Sequence, residues 1–244
     1  MIITTPARTS RLTGRTVPQA SLTATDRRAM FALLSTFFNG VDPATFASDL
    51  DEKSHVILLE GEDGLLHGFS TLLVYRSCVP GSDVTIVYSG DTIVDREFWG
   101  SPALPISWLA ATRTLTCTAE SRVYWLLLTS GFRTYRFLPV FFREFYPRDV
   151  NRESADLVRA IATERFGERY DPLAGIVRFE RPQILVPELL EVPEGRTHDE
   201  HVAFFLARNP GYTHGDELVC LSDISDANLT AAARRIARRV EALT

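Results

Sequence analysis

The chain has 244 residues, 45% of them hydrophobic, and a formal charge of −5 from 26 basic and 31 acidic side chains. This is enough apolar chain to bury a substantial soluble core. The nearly balanced, slightly acidic charge excludes nucleic acid and an anionic membrane as default partners. Cys78, Cys117 and Cys220 are widely spaced and form no CxxC pair, which argues against a disulfide framework and a cysteine zinc site and fits a reducing cytoplasm. The opening residues MIITTPARTSRLTGR lack the apolar core of a secretory signal, and no run reaches the roughly 20 apolar residues that span a bilayer. Lys53 is the only lysine; a GC-rich genome accounts for that bias as readily as a demand for bidentate anion contacts.

In chain order, residues 9–17 read as a short first strand. A helix follows, capped by Thr23 or Thr25, with Met30, Leu33, Leu34, Phe37 and Phe38 on one face and Asn39-Gly40 at its close. Asp42-Pro43 opens a second short helix, with aspartate at the cap and proline at the first helical position. HVILLEGEDGLLHGFSTLLVYRS gives two strands joined by Gly61-Glu62-Asp63-Gly64, a hairpin signal.

After Val79-Pro80-Gly81-Ser82 comes VTIVYSGDTIVDREFWGSP, an apolar strand with a polar tetrad inside it and a glycine at its exit. PALPISWLAATRTLT reads as a helix, RVYWLLLT as a buried strand ending at Ser130-Gly131, and FRTYRFLPVFFREFY as a helix broken near Pro139. Residues 154–166 give another helix, and RPQILVPELLEVPEG an extended covering segment. HVAFFLAR and ELVCLSDI read as two late strands, and a basic amphipathic helix over 228–243 closes the chain. No repeat or linker interrupts this, so a single domain with an insertion at about 147–200 is expected.

This order, with a hairpin of long strands replacing regular strand-helix alternation, resembles the GNAT superfamily of N-acyltransferases over residues 9–146 and 201–224. The resemblance implies an α/β fold: a mixed, mostly antiparallel central sheet flanked by helices, with an insertion before the last two strands. It implies a sheet that splays near positions 91 and 129 to admit the pantetheine arm of a thioester. SGDT would then be the strand interruption, Thr92, Ile93 and Val94 the backbone that meets pantetheine, and Gly100 and Ser101 the turn facing the pyrophosphate at a helix N-terminus. The family's loop pattern is not kept: Glu97 stands where arginine or glutamine is usual, and Pro102 falls in the spacer. A glutamate repels phosphate and a proline has no N–H to offer. The donor is accordingly an acyl-CoA held in another way, an acyl chain on a carrier protein, or absent.

Acyl transfer needs a base for the nucleophile and a donor for the leaving thiolate. Asp91 is placed for the first role; the competing reading is an Asx-turn with Thr92. For the second the resemblance implies Tyr135, one turn into the helix after the fifth strand and near where the family often carries a thiolate-protonating tyrosine, with a structural core tyrosine as the competing reading. Ser130 could line the acceptor channel or simply end a strand. Arg133 and Arg136, three residues apart on one helical face, could bind phosphate or an acidic carrier protein, or lie solvated. His198 and His201 are expected on opposite faces of a strand, which argues against a metal site.

Phe137, Phe141, Phe142 and Phe145 require a cover, either the 183–192 segment or a second copy of the chain. The expected activity is transfer of an acyl group from a thioester to a small amine or hydroxyl acceptor. The alternatives are a non-catalytic GNAT-like binding protein and an enzyme like the N-acyl homoserine lactone synthases.

Overall fold

The computed structural model describes residues 11–79, 82–149 and 151–241. Thr9 and Ser10 of the expected first strand, Pro80 and Gly81, and the last residues of the expected C-terminal helix lie outside the described residues. In chain order the elements are β1 (Thr13–Pro18), α1 (Ala24–Leu34), β2 (Phe38–Asn39), α2 (Pro43–Asp51), β3 (His55–Glu60), β4 (Leu66–Val79), β5 (Ser82–Val94), α3 (Ala103–Leu115), β6 (Arg122–Thr129), α4 (Phe132–Tyr135) and α5 (Phe137–Phe141). They continue with α6 (Arg152–Phe166), β7 (Tyr170–Asp171), β8 (Ile176–Val177), β9 (Ile184–Leu185), α7 (Pro187–Leu190), α8 (Glu200–Arg208), β10 (Glu217–Asp223) and α9 (Ala231–Glu241).

The central sheet has 8 strands in the order β1-β3-β4-β5-β6-β10-β8-β7. Its neighbours are antiparallel except β5 and β6, which run parallel because α3 crosses between them. This is the mixed, mostly antiparallel α/β sheet expected from the element order.

Side-chain alternation gives the sheet two apolar faces. On one, Leu72, Val87, Trp125, Leu127, Leu218 and Cys220 pack under α3, α5, α8 and α9. On the other, Ile86, Tyr88, Leu126, Leu128, Val219 and Leu221 pack under α6, while Val56, Leu58, Phe69 and Ile93 pack under α1 and α2. The helices start where their caps put them. The Thr23 hydroxyl accepts from Asp26 N–H while the Asp26 carboxylate accepts from Thr23 N–H, and Asp42 accepts from Thr45 N–H ahead of Pro43.

The structure corrects several element assignments. HVAFFLAR is the helix α8, not a strand: Asp199 caps it by accepting from His201 and Val202 N–H, and Val202 and Phe205 face the core one turn apart. A short apolar run fits either period, and the cap decides between them. One full-length strand, β10, therefore follows the inserted segment, in place of the two expected.

Helix α1 stops at Leu34, where the Ser35 and Thr36 hydroxyls donate back to the carbonyls of Phe31 and Leu33. Phe38-Asn39 then pairs with Ile184-Leu185, so the 183–192 segment covers the α1/α2 side. The aromatic helix breaks at Arg136, not Pro139, and Phe142 and Phe145 are covered by α8, α9 and β10 within the same chain.

The polar tetrad of β5 is a β-bulge. Ser70 pairs with Thr92 and Leu72 with Ser89, so Gly90 and Asp91 together oppose Thr71. The side-chain phase slips there: Ile86 and Tyr88 face α6, and beyond the bulge it is Ile93 that faces the same side. Gly90 is required because an added Cβ would stand 2.6 Å from Thr71 Oγ1 and 2.7 Å from Lys53 Cε. Gly90→Ala is expected to lower stability by about 1–3 kcal/mol, the usual cost of overpacking. An unchanged urea midpoint would contradict this tight approach.

Candidate functional site

Strands β5 and β6 are paired from Val84↔Arg122 to Ser89↔Leu127 and no further. Beyond that point β5 stays paired with β4 up to Val94, and β6 stays paired with β10 up to Thr129. The two strands thus part into a slot, at the place the family resemblance implied. Asp95 N–H donates to His67 O at 2.7 Å, so the antiparallel alternation turns the N–H and C=O of Val94 and Thr92 away from β4 and toward the opening. The Val94 carbonyl accepts from the Trp99 indole at 2.8 Å. Thr92 keeps its backbone groups facing the slot, whereas Ile93 points its own toward β4.

Two cavities meet there, sharing Ser89, Thr92, Leu127 and Thr134 as lining. On the α2/α6 side is a cleft of about 520 Å³ that includes Asp49, Tyr88, Asp91, Ser130 and Glu217 among its walls. The bulge delivers Asp91 to this side; in an unbroken strand its side chain would point under α3. Glu217 reaches the same cleft because it is in phase with Val219 and Leu221 on β10.

Beneath them lies Lys53, its side chain fully buried. Its Nζ is 2.6 Å from Asp49 Oδ1 and donates to Asp49 O at 2.9 Å. Arg165 pairs with Glu52 at 2.6 Å and lies over the Tyr88 ring. Arg169 and Arg181 stand at the cleft's edge.

The carboxyls are far from their ordinary state. Burial, then the charge of Asp49, push Asp91 up to about 7, with Lys53 opposing. Burial, then the charge of Asp91, push Glu217 up to about 8, while the Ser130 hydroxyl hydrogen bond opposes the shift. Such carboxyls hold or release a proton near neutrality, which suits general base chemistry. The sequence reading missed Glu217; the signal available was a glutamate in register with the apolar face of a strand.

The other expected residues are distributed as follows. Ser130 lines the cleft and meets Glu217. Ile93 is buried under α1 and α2. Tyr135 does not line the slot: it is buried among Phe145, Phe204 and Phe205, its hydroxyl has no partner among the described residues, and burial raises its pKa. Its neighbour Thr134 lines the slot instead. Arg133 donates to the carbonyls of Leu189 and Glu191 and stacks on Trp99 and Phe132, so it ties down the covering segment. Arg136 pairs with Asp199 at 3.0 Å, anchoring the start of α8.

Gly100 has φ +98°, a left-handed conformation that favours glycine, and open space around it. Ser101 N–H donates to Phe98 O at 2.9 Å, and Ser101 Oγ accepts from Ala103 N–H at 3.3 Å. Pro102 and Pro105 have no N–H, which leaves Leu104 alone in the first turn of α3 to meet a phosphate. His201 lies in α8, not on a strand, and no group of three or more potential metal ligands gathers among the described residues.

No protein-family model and no curated protein matches this sequence. Among solved structures, a probable N-acyltransferase from Enterococcus faecalis V583 aligns over 55% of this chain and 33% of its own, at 16% identity and a TM-score of 0.41. The chain therefore spans about a third of that protein's length. A GNAT family N-acetyltransferase from Escherichia coli, solved with CoA, aligns over 56% and 71% of the two chains, at 19% identity and 0.39. Glucosamine-6-phosphate N-acetyltransferase from Arabidopsis thaliana aligns over 47% and 81%, at 15% and 0.34.

The raised carboxyl pKa values also bear on stability. Between about pH 4 and 8 the folded chain keeps protons that the unfolded chain has released, so stability falls as pH rises through that window. Asp91→Asn and Glu217→Gln are expected to raise Tm by a few degrees at pH 8.5 and to leave it unchanged near pH 4. Scanning calorimetry at the two pH values checks this, and variants less stable than the parent at pH 8.5 would contradict it.

Proposed function

We propose that the chain is an acyltransferase that moves an acyl group from a thioester to an amine held in the Asp91/Glu217 cleft. The observation that carries this reading is the slot, with unpaired Thr92 backbone on one wall and two proton-accepting carboxyls opening onto one side of it. An ammonium entering the cleft loses a proton to a carboxylate whose affinity for it has been raised by burial.

The neutral amine attacks the thioester carbonyl carbon, and the C=O pair moves onto oxygen, where Thr92 N–H is placed to donate. The nitrogen gives a second proton to the cleft carboxylates. Collapse then breaks the C–S bond, and the departing thiolate takes up a proton, leaving amide and thiol. Tyr135, enclosed in the aromatic core, is not assigned the thiolate-protonating role in this scheme.

The shortage of free N–H groups in the first turn of α3 favours a pantetheine delivered on a carrier protein over acyl-CoA held by its pyrophosphate. The same feature supports a second reading, a non-catalytic cleft that binds an amine alone. These separate by measuring thiol release and thermal shift with acetyl-CoA, longer acyl-CoAs and acyl carrier protein across a panel of amines. Release with any donor supports transfer; stabilisation by amines with no release from any donor supports the binding reading. For the active pair, Asp91→Asn and Glu217→Gln are each expected to lower kcat by about 10²–10⁴-fold with donor affinity unchanged. The parent's rate should rise with pH through 7 to 8. Full activity in both variants would remove the carboxyls from the mechanism.

A further inference from the structure

The second cavity, under α3, α5 and α9, has a composition unlike the cleft. Its walls are carbon, from residues such as Leu104, Leu109, Phe141, Leu229, Ala233 and Ile236, and its polar side chains are hydroxyls and the indoles bonded to one of them. Ser89, Thr92 and Thr134 are hydroxyl residues it shares with the cleft, so they mark the slot end.

The protons of these hydroxyls can be followed. Thr92 Oγ1 donates to Gly90 O at 3.3 Å and is bonded to Ser70 Oγ at 2.8 Å, so Ser70 supplies the proton of that second bond. Ser89 is different. Its Oγ accepts from Trp108 Nε1 at 3.1 Å and from Trp125 Nε1 at 2.9 Å, which fills both lone pairs. Its own O–H has no acceptor among the described residues, although Ser89 is only 2% exposed. The slot mouth thus holds a hydroxyl that can only donate, polarised by two indole donors, in front of an apolar chamber. A thioester is the complement: a carbonyl oxygen that only accepts, carried on a hydrocarbon chain.

We propose that this chamber is the subsite for the hydrocarbon chain of the acyl donor, with the thioester carbonyl oxygen accepting from Ser89 O–H at its mouth. This rests on the acyl-transfer reading and extends it to the donor's acyl class. The volume, about 50 Å³, sets the length. At about 10–15 Å³ for each water-sized group, it holds about three to five carbons beyond the carbonyl. A butyryl- to hexanoyl-sized group fills it, an acetyl leaves it largely empty, and a long fatty chain overruns it.

The test uses S-acyl-N-acetylcysteamine thioesters, which carry no phosphate and so bind independently of the α3 turn. Titration calorimetry on the full chain is expected to give butyryl about tenfold tighter binding than acetyl, from two more buried methylenes, with decanoyl weaker than butyryl. Ala233→Leu or, if that variant does not fold, Ile236→Phe should abolish the butyryl advantage and leave acetyl unchanged. The infrared carbonyl stretch of bound butyryl thioester should lie lower in the parent than in Ser89→Ala. Affinity that is flat with chain length, or that climbs steadily to decanoyl, overturns the subsite while leaving thiol release intact. No binding by any thioester overturns the subsite together with the acyl-transfer reading.

Discussion

Gly90 and Asp91 of β5 share the space opposite Thr71 of β4, and that mismatch organises the site around it. An extra residue cannot be paired, so the strand bends and its side-chain phase slips by one. The slip has local consequences that chemistry can use. Asp91 is turned to the side where Glu217 already points, and β5 can no longer follow β6, so the parallel pair ends at Ser89↔Leu127. A regular strand with the same composition would have put the aspartate under α3, among leucines, and closed the slot.

The cleft floor is held by two ion pairs in which the cation is the more buried partner. Lys53 is fixed by Asp49 at 2.6 Å, and Arg165 by Glu52 at the same distance. Removing Asp49 would leave the fully buried Lys53 ammonium without its carboxylate, whereas Asp49 and Glu52, themselves half exposed, stay solvated without their partners. Their role here is placement: Lys53 restrains the upward shift of Asp91 that burial and Asp49 drive. The result is a carboxyl poised near neutrality, obtained at some cost to stability in alkaline solution.

Much of the fold was legible in sequence because its signals are local. The 61–64 turn, the Asp42-Pro43 start of α2 and the broken apolar run of β5 each state their geometry within a few residues. The slot was implied by the family resemblance, which assigned the interruption of that run to its edge. What escaped depends on partners far along the chain. HVAFFLAR has too few residues for its period to decide, and its Asp199 cap outweighs its strand-like composition. Tyr135 sits where the resemblance implied function and Arg136 where helical spacing suggested an anion contact, but helix α8 packs over one and pairs with the other through Asp199. Glu217 becomes a site residue only when β10 pairs with β6, a contact between segments separated by the whole 147–200 region.

The account stands on the parting of β5 from β6, and residue-resolved amide exchange in the ligand-free protein measures it directly. Thr92 N–H, facing the slot, should exchange far faster than Ile93 N–H, which the ladder with β4 protects, and than the amides of Ile86 and Val87, which lie between two paired strands. Protection of Thr92 equal to that of Ile86 and Val87 would mean that the strands are zipped together, and would contradict the slot and the chemistry assigned to it.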